Sequence, residues 1–96
     1  GGTQDIDLTL GNSVTATVDT STNTFTFSNP TAADELCGFT LILTNGASQT
    51  VNWPAAVDWP AATAPTLTAS GIDILVFQTK DGGTTWLGNL VGAAYA

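Results

Sequence analysis

Apolar and polar residues alternate with a period of two along most of the chain, and no stretch of ten residues or more carries the i, i+3, i+4 apolar spacing of a helix. Ile6, Leu8 and Leu10 alternate with Asp7 and Thr9; Val14, Ala16 and Val18 with Thr15 and Thr17; Phe25 and Phe27 with Thr24, Thr26 and Ser28. Each set predicts a half-buried strand, with turns expected at Gly11-Asn12 and in the polar cluster from Asp19 to Asn23. Asn29-Pro30 ends the third strand, and residues 31–36 predict a loop or one helical turn, with Asp34 and Glu35 as solvated loop charges. Phe39, Leu41 and Leu43 then share one face and Thr40, Ile42 and Thr44 the other, and Asn45-Gly46 predicts a hairpin that pairs residues 48–53 back against that strand. Residues 65–68 read as a short edge-like stretch. Residues 72–77 are apolar on both faces and predict a central strand, after which Asp81-Gly82-Gly83 turns the chain into a last hairpin over 84–91. About eight short strands at spacings of eight to twelve residues predict a single all-β domain over 1–96, an antiparallel β-sandwich of jelly-roll-like type with almost no helix.

One segment breaks the alternation. The pentads Asn52-Trp53-Pro54-Ala55-Ala56 and Asp58-Trp59-Pro60-Ala61-Ala62 are nearly identical and hold two of the three tryptophans and half of the four prolines. Each proline fixes φ, withholds a ladder donor and pushes the preceding tryptophan toward extended geometry, so the segment is expected to run along a sheet edge or to cross between sheets. Three uses of Trp53, Pro54, Trp59 and Pro60 follow: closure of the core, burial at a subunit interface, or an aromatic platform for a ligand.

Charge narrows the possible partners. Lys80 is the only base against eight acids, a net charge of -7. A nucleic-acid backbone needs several Lys or Arg to release its counterions, and an anionic membrane surface needs a basic cluster, so neither is an expected partner. Eighteen threonines favour strands, and no run of 18 apolar residues is present to span a bilayer as a helix. The single Cys37, between Leu36 and Gly38, reads as a small buried hydrophobe with no intrachain disulfide to make. The start at Gly1-Gly2 is compatible with a cut from a longer polypeptide.

Catalytic sets are poorly supplied. Without histidine there is no Ser/His or Cys/His pair, and one lysine leaves little scope for a Ser-Lys device. Glycosidase chemistry needs two carboxylates roughly 5–9.5 Å apart across a cleft, whereas the acids here fall singly among threonines apart from the neighbours Asp34 and Glu35. No catalytic residue, cofactor or metal site is assigned, although Asp5 and Asp7 lie on one side of a strand and could share a Ca²⁺ with a third acid.

The stretch from Thr79 through Asp81, Gly82, Gly83, Thr84 and Thr85 to Trp86 resembles the Asp box, in which Ser or Thr, Asp, Gly, Thr and Trp recur at fixed offsets across a hairpin turn. The aspartate can cap turn amides, the glycines supply positive φ and the tryptophan packs back over the turn. In sialidases and related propellers this box is structural, so the resemblance implies no catalysis; a propeller needs several blades of about 40–50 residues.

Taken together, Val51-Asn52-Trp53-Pro54, Asp58-Trp59-Pro60, Ala64-Pro65-Thr66-Leu67-Thr68 and the run from Gly71 to Gly88 resemble a module recurrent in tailed-phage virion proteins, often near the C-terminus of tail-fibre or appendage polypeptides. The opening from Ile6 to Val18 and from Asn23 to Pro30 is similar to the first half of that module. Where the module commonly carries an aromatic after the last tryptophan and a base before the second, this chain has Leu87 and Asp58. The resemblance implies a non-enzymatic viral structural protein located in the virion, a homotrimer in contact with other virion proteins, serving in assembly or host-surface attachment. The alternatives are a head decoration (cement) protein on the capsid and a carbohydrate-binding module that uses Trp53 and Trp59 on a host-surface glycan. Residues 72–77, apolar on both faces, independently predict burial between chains.

Overall fold

Eight strands form in the order β1 (Gly2–Asp7), β2 (Ser13–Thr17), β3 (Asn23–Ser28), β4 (Ala33–Thr44), β5 (Val51–Asn52), β6 (Val57–Asp58), β7 (Ile72–Asp81) and β8 (Trp86–Tyr95). They are seen in a computed structural model that describes residues 2–8, 13–18, 22–30 and 33–95, the side chains of 33–36 excepted. The helical element among the described residues is a 3₁₀ turn at Pro60–Ala62. The chain is thus all-β, in two sheets: three strands in the order β1-β3-β5 and five in the order β2-β4-β7-β8-β6.

The first five strands alternate between the sheets. Strand β1 therefore lies parallel to β3, with Gly2 opposite Asn23 and Ile6 opposite Phe27, and β3 lies parallel to β5. In the second sheet β2 runs parallel to β4, Val14 opposite Leu41. A chain that crosses to the other sheet after every strand returns in the same direction, which gives parallel neighbours without helical crossovers. Only then does hairpin pairing take over: β7 is antiparallel to both β4 and β8, while β6 joins the far edge parallel to β8.

This pairing corrects several expectations. The three-stranded sheet is parallel and the five-stranded sheet mixed, so neither is antiparallel throughout. Asn45-Gly46 does turn the chain, with Asn45 left-handed at φ 58°, but residues 48–53 do not fold back on β4. The place beside β4 is taken by β7, whose two apolar faces need cover from both sides, and β5 joins β3 in the other sheet. Residues 33–36 belong to the start of β4 and not to a loop or helical turn; an irregularity between Ala33 and Cys37 lets β4 stay paired with β7 as far as Asp81. The side chains of Asp34 and Glu35, and the turns expected at Gly11-Asn12 and at 19–21, lie outside the described residues. Residues 65–68 form no strand, and Cys37 is half-buried and free. The central strand at 72–77 and the last hairpin stand as read, since β7 is the middle strand of five.

The core is built from strands of both sheets. Ile6, Phe25, Phe39, Leu41, Leu43, Leu75, Phe77 and Trp86 are buried there, with the half-buried Phe27 inserted among them. Phe27 on β3 meets Phe39, Phe77 and Trp86 of the other sheet at centroid distances of 4.9, 5.0 and 5.2 Å.

Candidate functional site

The paired Trp-Pro segment crosses from one sheet to the other. Its first pentad leaves the edge strand β5 and is closed by the Val57 amide donating to the Pro54 carbonyl at 3.1 Å. The second opens with β6 on the far edge of the five-stranded sheet and ends in the 3₁₀ turn, where Ala62 donates to Trp59 at 2.9 Å and Ala61 and Ala62 both adopt φ 55°. The prolines fit because neither lies inside a strand with neighbours on both sides.

Both indoles are half-buried and point into the aromatic core. Trp53 stacks on Phe25 at 5.2 Å and 17° and meets Phe77 at 5.2 Å. Trp59 meets Trp53 at 5.7 Å and Phe77 at 5.6 Å, both edge-on. A missing side chain makes room for Trp59: a Cβ on Gly88 would fall 2.7 Å from Trp59 Cζ3 and 3.1 Å from Phe77 Cε1. Seven of the eight aromatic residues of the chain thereby form one connected cluster, with Tyr95 outside it.

The turn at 81–85 is organised by two side chains. Asp81 Oδ1 accepts from the Thr85 amide at 3.0 Å. The buried Thr79 hydroxyl lies 2.9 Å from Asp81 Oδ1 and 2.8 Å from the Thr85 carbonyl, and accepts from the Gly83 amide at 3.1 Å. The Thr85 amide and the Thr79 hydroxyl hold the Asp81 carboxyl below the usual aspartate range. Gly82 and Gly83 have φ of 71° and 89°, and a Cβ on Gly83 would meet Pro30 Cγ at 3.0 Å and Trp86 Nε1 at 3.5 Å. Trp86 is buried, edge-on to Phe27 and Phe39.

The two motifs meet. The Trp86 amide donates to the Ala56 carbonyl at 2.9 Å, Val57 lies opposite Trp86 and Asp58 opposite Leu87. The second pentad and the box-like turn therefore share a strand pair, a relation that separate inspection of two distant motifs does not reveal. Beside that pair an open cleft of about 240 Å³ is lined by Asp58, Trp59, Pro60, Leu87, Gly88 and Asn89.

Sequence reasoning missed Asp73. It is fully buried, and its carboxylate accepts from the Thr68 amide at 2.7 Å, the Thr68 hydroxyl at 2.7 Å and the Ala94 amide at 3.0 Å. Burial disfavours its charge, but these three donors outweigh burial and bring its pKa below the ordinary value. Asp73 thus ties the loop before β7 and the end of β8 to the central strand. The signal was present: one acid in the otherwise apolar run of residues 72–77, with threonine five residues earlier.

Asp5 and Asp7 do share a face of β1, where Thr26 and Ser28 donate to Asp5 at 2.7 and 2.6 Å and Asn29 donates to Asp7 at 3.0 Å. Among the described residues no three His, Cys, Asp or Glu side chains come close enough to hold a metal ion. No described helix is long and apolar enough to cross a membrane. No protein-family model matches the chain, and comparisons with curated proteins and with solved structures likewise return no match.

Proposed function

We propose that the chain is a non-enzymatic structural domain of a phage virion, of tail-fibre or appendage type, acting in assembly or host-surface attachment as a homotrimer among other virion proteins. The observation that carries this reading is the use of the two motifs behind the resemblance: Trp53, Trp59 and Trp86 are spent on packing against Phe25, Phe27, Phe39 and Phe77, and the Asp81 turn braces the strand that holds them. The described acids are singly placed or engaged by hydroxyls and amides, an arrangement suited to holding a shape. The same rings support the finer reading of the fold as a β-sandwich, because side chains of both sheets meet at them. Quantitative mass spectrometry of purified particles from a lysate of the host strain tests the proposal. Peptides of this chain in fixed stoichiometry with the major tail proteins support it, and their absence from particles overturns it. The length of the polypeptide that carries these peptides separates the alternatives, a short one favouring a head decoration protein and a long one a fibre.

One observation favours a second reading, carbohydrate binding. The cleft beside Trp59 combines an indole with the exposed Asp58 and Asn89, the mixture of apolar face and polar rim that a sugar ring needs. Trp53, stacked on Phe25, does not line that cleft.

A further inference from the structure

The cleft beside Trp59 opens at the sheet edge where β6 ends and β8 runs on. Its walls are fixed by backbone pairing. Asp58 lies opposite Leu87 in the parallel strand pair, so their side chains leave one face of the sheet, and Asn89, two positions further along β8, leaves the same face. Gly88 turns the other way and is buried against the Trp59 ring. Across the cleft the Trp59 and Pro60 carbonyls accept from the Ala62 and Thr63 amides at 2.9 and 3.2 Å, which fixes the turn that carries both rings. Trp53 and Phe77 meet the Trp59 indole edge-on, at 68° and 69°, so among the described residues no ring lies flat on it, whereas Trp53 has Phe25 stacked at 17°. The polar groups are likewise unspent. Asp5, Asp73 and Asp81 are engaged by hydroxyls or amides, but among the described residues no hydrogen bond engages the exposed side chains of Asp58 and Asn89.

We infer that this cleft takes a single uncharged sugar ring and rejects acidic sugars, a step that rests on the carbohydrate reading above and names its ligand class. Size sets the first limit. At about 240 Å³ the cleft falls below the roughly 300–1,000 Å³ of sites for drug-sized ligands, which leaves room for one ring. Chemistry sets the second. The Trp59 indole, Pro60 and Leu87 offer an apolar wall for the C–H face of a pyranose, while the Asp58 carboxylate accepts from its hydroxyls and the Asn89 carboxamide both donates and accepts. Charge decides the class. Asp58 lines the cleft and the chain's one base, Lys80, does not, so a sialic or uronic carboxylate would meet Asp58 and a net charge of -7 with no cation to pair it. So small and open a contact holds one ring with a dissociation constant on the order of 1 mM, an affinity that serves attachment only where many copies engage together.

Nuclear magnetic resonance titration of the chain with two sets of sugars at millimolar concentration tests this. The neutral set is the methyl glycosides of glucose, galactose and mannose with N-acetylglucosamine; the acidic set is glucuronic acid and N-acetylneuraminic acid. Saturable shifts at the amides of Asp58 and 87–89 and at the Trp59 indole N–H are expected with at least one neutral sugar, and none with the acids. Asn89→Ala and Asp58→Asn, both at exposed positions, should keep the circular dichroism spectrum and each weaken the neutral sugar about tenfold. Undiminished binding in both variants, or shifts that lie away from these residues, overturns the site. Binding of an acidic sugar in the cleft as tightly as a neutral one overturns the ligand class and leaves the carbohydrate reading standing. Silence of the cleft toward both sets overturns the inference and the carbohydrate reading together. The virion reading fails separately, by absence of the chain from particles whatever sugar it binds.

Discussion

Truncating Trp53 to alanine is the perturbation whose size the structure determines best. The indole offers roughly 200 Å² of apolar surface, and a half-buried ring surrounded by three others removes about 150 Å² of it from water, worth about 4 kcal/mol at ~25 cal/mol per Å². Its partners are Phe25 at 5.2 Å, Phe77 at 5.2 Å and Trp59 at 5.7 Å, rings fixed by two different sheets that cannot all collapse into the vacated space. A cost of about 4 kcal/mol agrees with the ~3–5 kcal/mol of large-to-small aromatic truncations and is a large share of the ~5–15 kcal/mol of a whole domain. Urea unfolding followed by circular dichroism is the assay, because the substitution removes one fluorophore. The midpoint should fall steeply with little change in slope. A loss below about 1 kcal/mol, with retention on polysaccharide abolished, would refute the packing argument and favour a ligand platform.

Thr79→Val leaves the Gly83 amide without its acceptor and frees Asp81, so it should cost about 2 kcal/mol by urea titration although the residue is isosteric and buried. Gly88→Ala places a methyl group against the Trp59 ring; the indole must move outward, and its fluorescence should shift to the red with a lower melting temperature. Asp73 and Asp81 have folded pKa values below their unfolded ones, so their contribution is fully present above about pH 4 and is lost as pH falls through the folded values. Urea midpoints should be flat from pH 7 to about pH 5 and decline below about pH 4, and Asp73→Asn should flatten that decline at a neutral-pH cost of about 3 kcal/mol; an unchanged acid limb in Asp73→Asn would contradict this assignment.

What the sequence made legible were local features. Alternation at Phe39, Leu41 and Leu43 marked an inward face, apolarity on both sides marked residues 72–77 as central, and Asp81-Gly82-Gly83 marked the last turn, since each depends on neighbours along the chain. Partner choice was not legible in the same way. Alternation says which face is buried but not which strand lies alongside, so Val14 opposite Leu41, and β5 beside β3, could not be read from period-two patterns. A turn signal such as Asn45-Gly46 reports a change of direction and not where the chain goes next. The pairing of Val57 with Trp86 joins motifs that lie 29 positions apart and depends on the whole sheet. Asp73 was passed over because an acid in an apolar strand identifies itself only when its donors, Thr68 and Ala94, are brought to it.

The central claim is that this β domain serves in the body of a virus particle, at its appendages, and position on the particle tests it most directly. Antibody raised against the folded chain, gold-labelled and imaged on intact particles from the host strain, should mark the tail fibres or tail tip. Label confined to the head would contradict the appendage account in favour of capsid decoration, and particles that bind no antibody, native or disrupted, would contradict the virion account altogether.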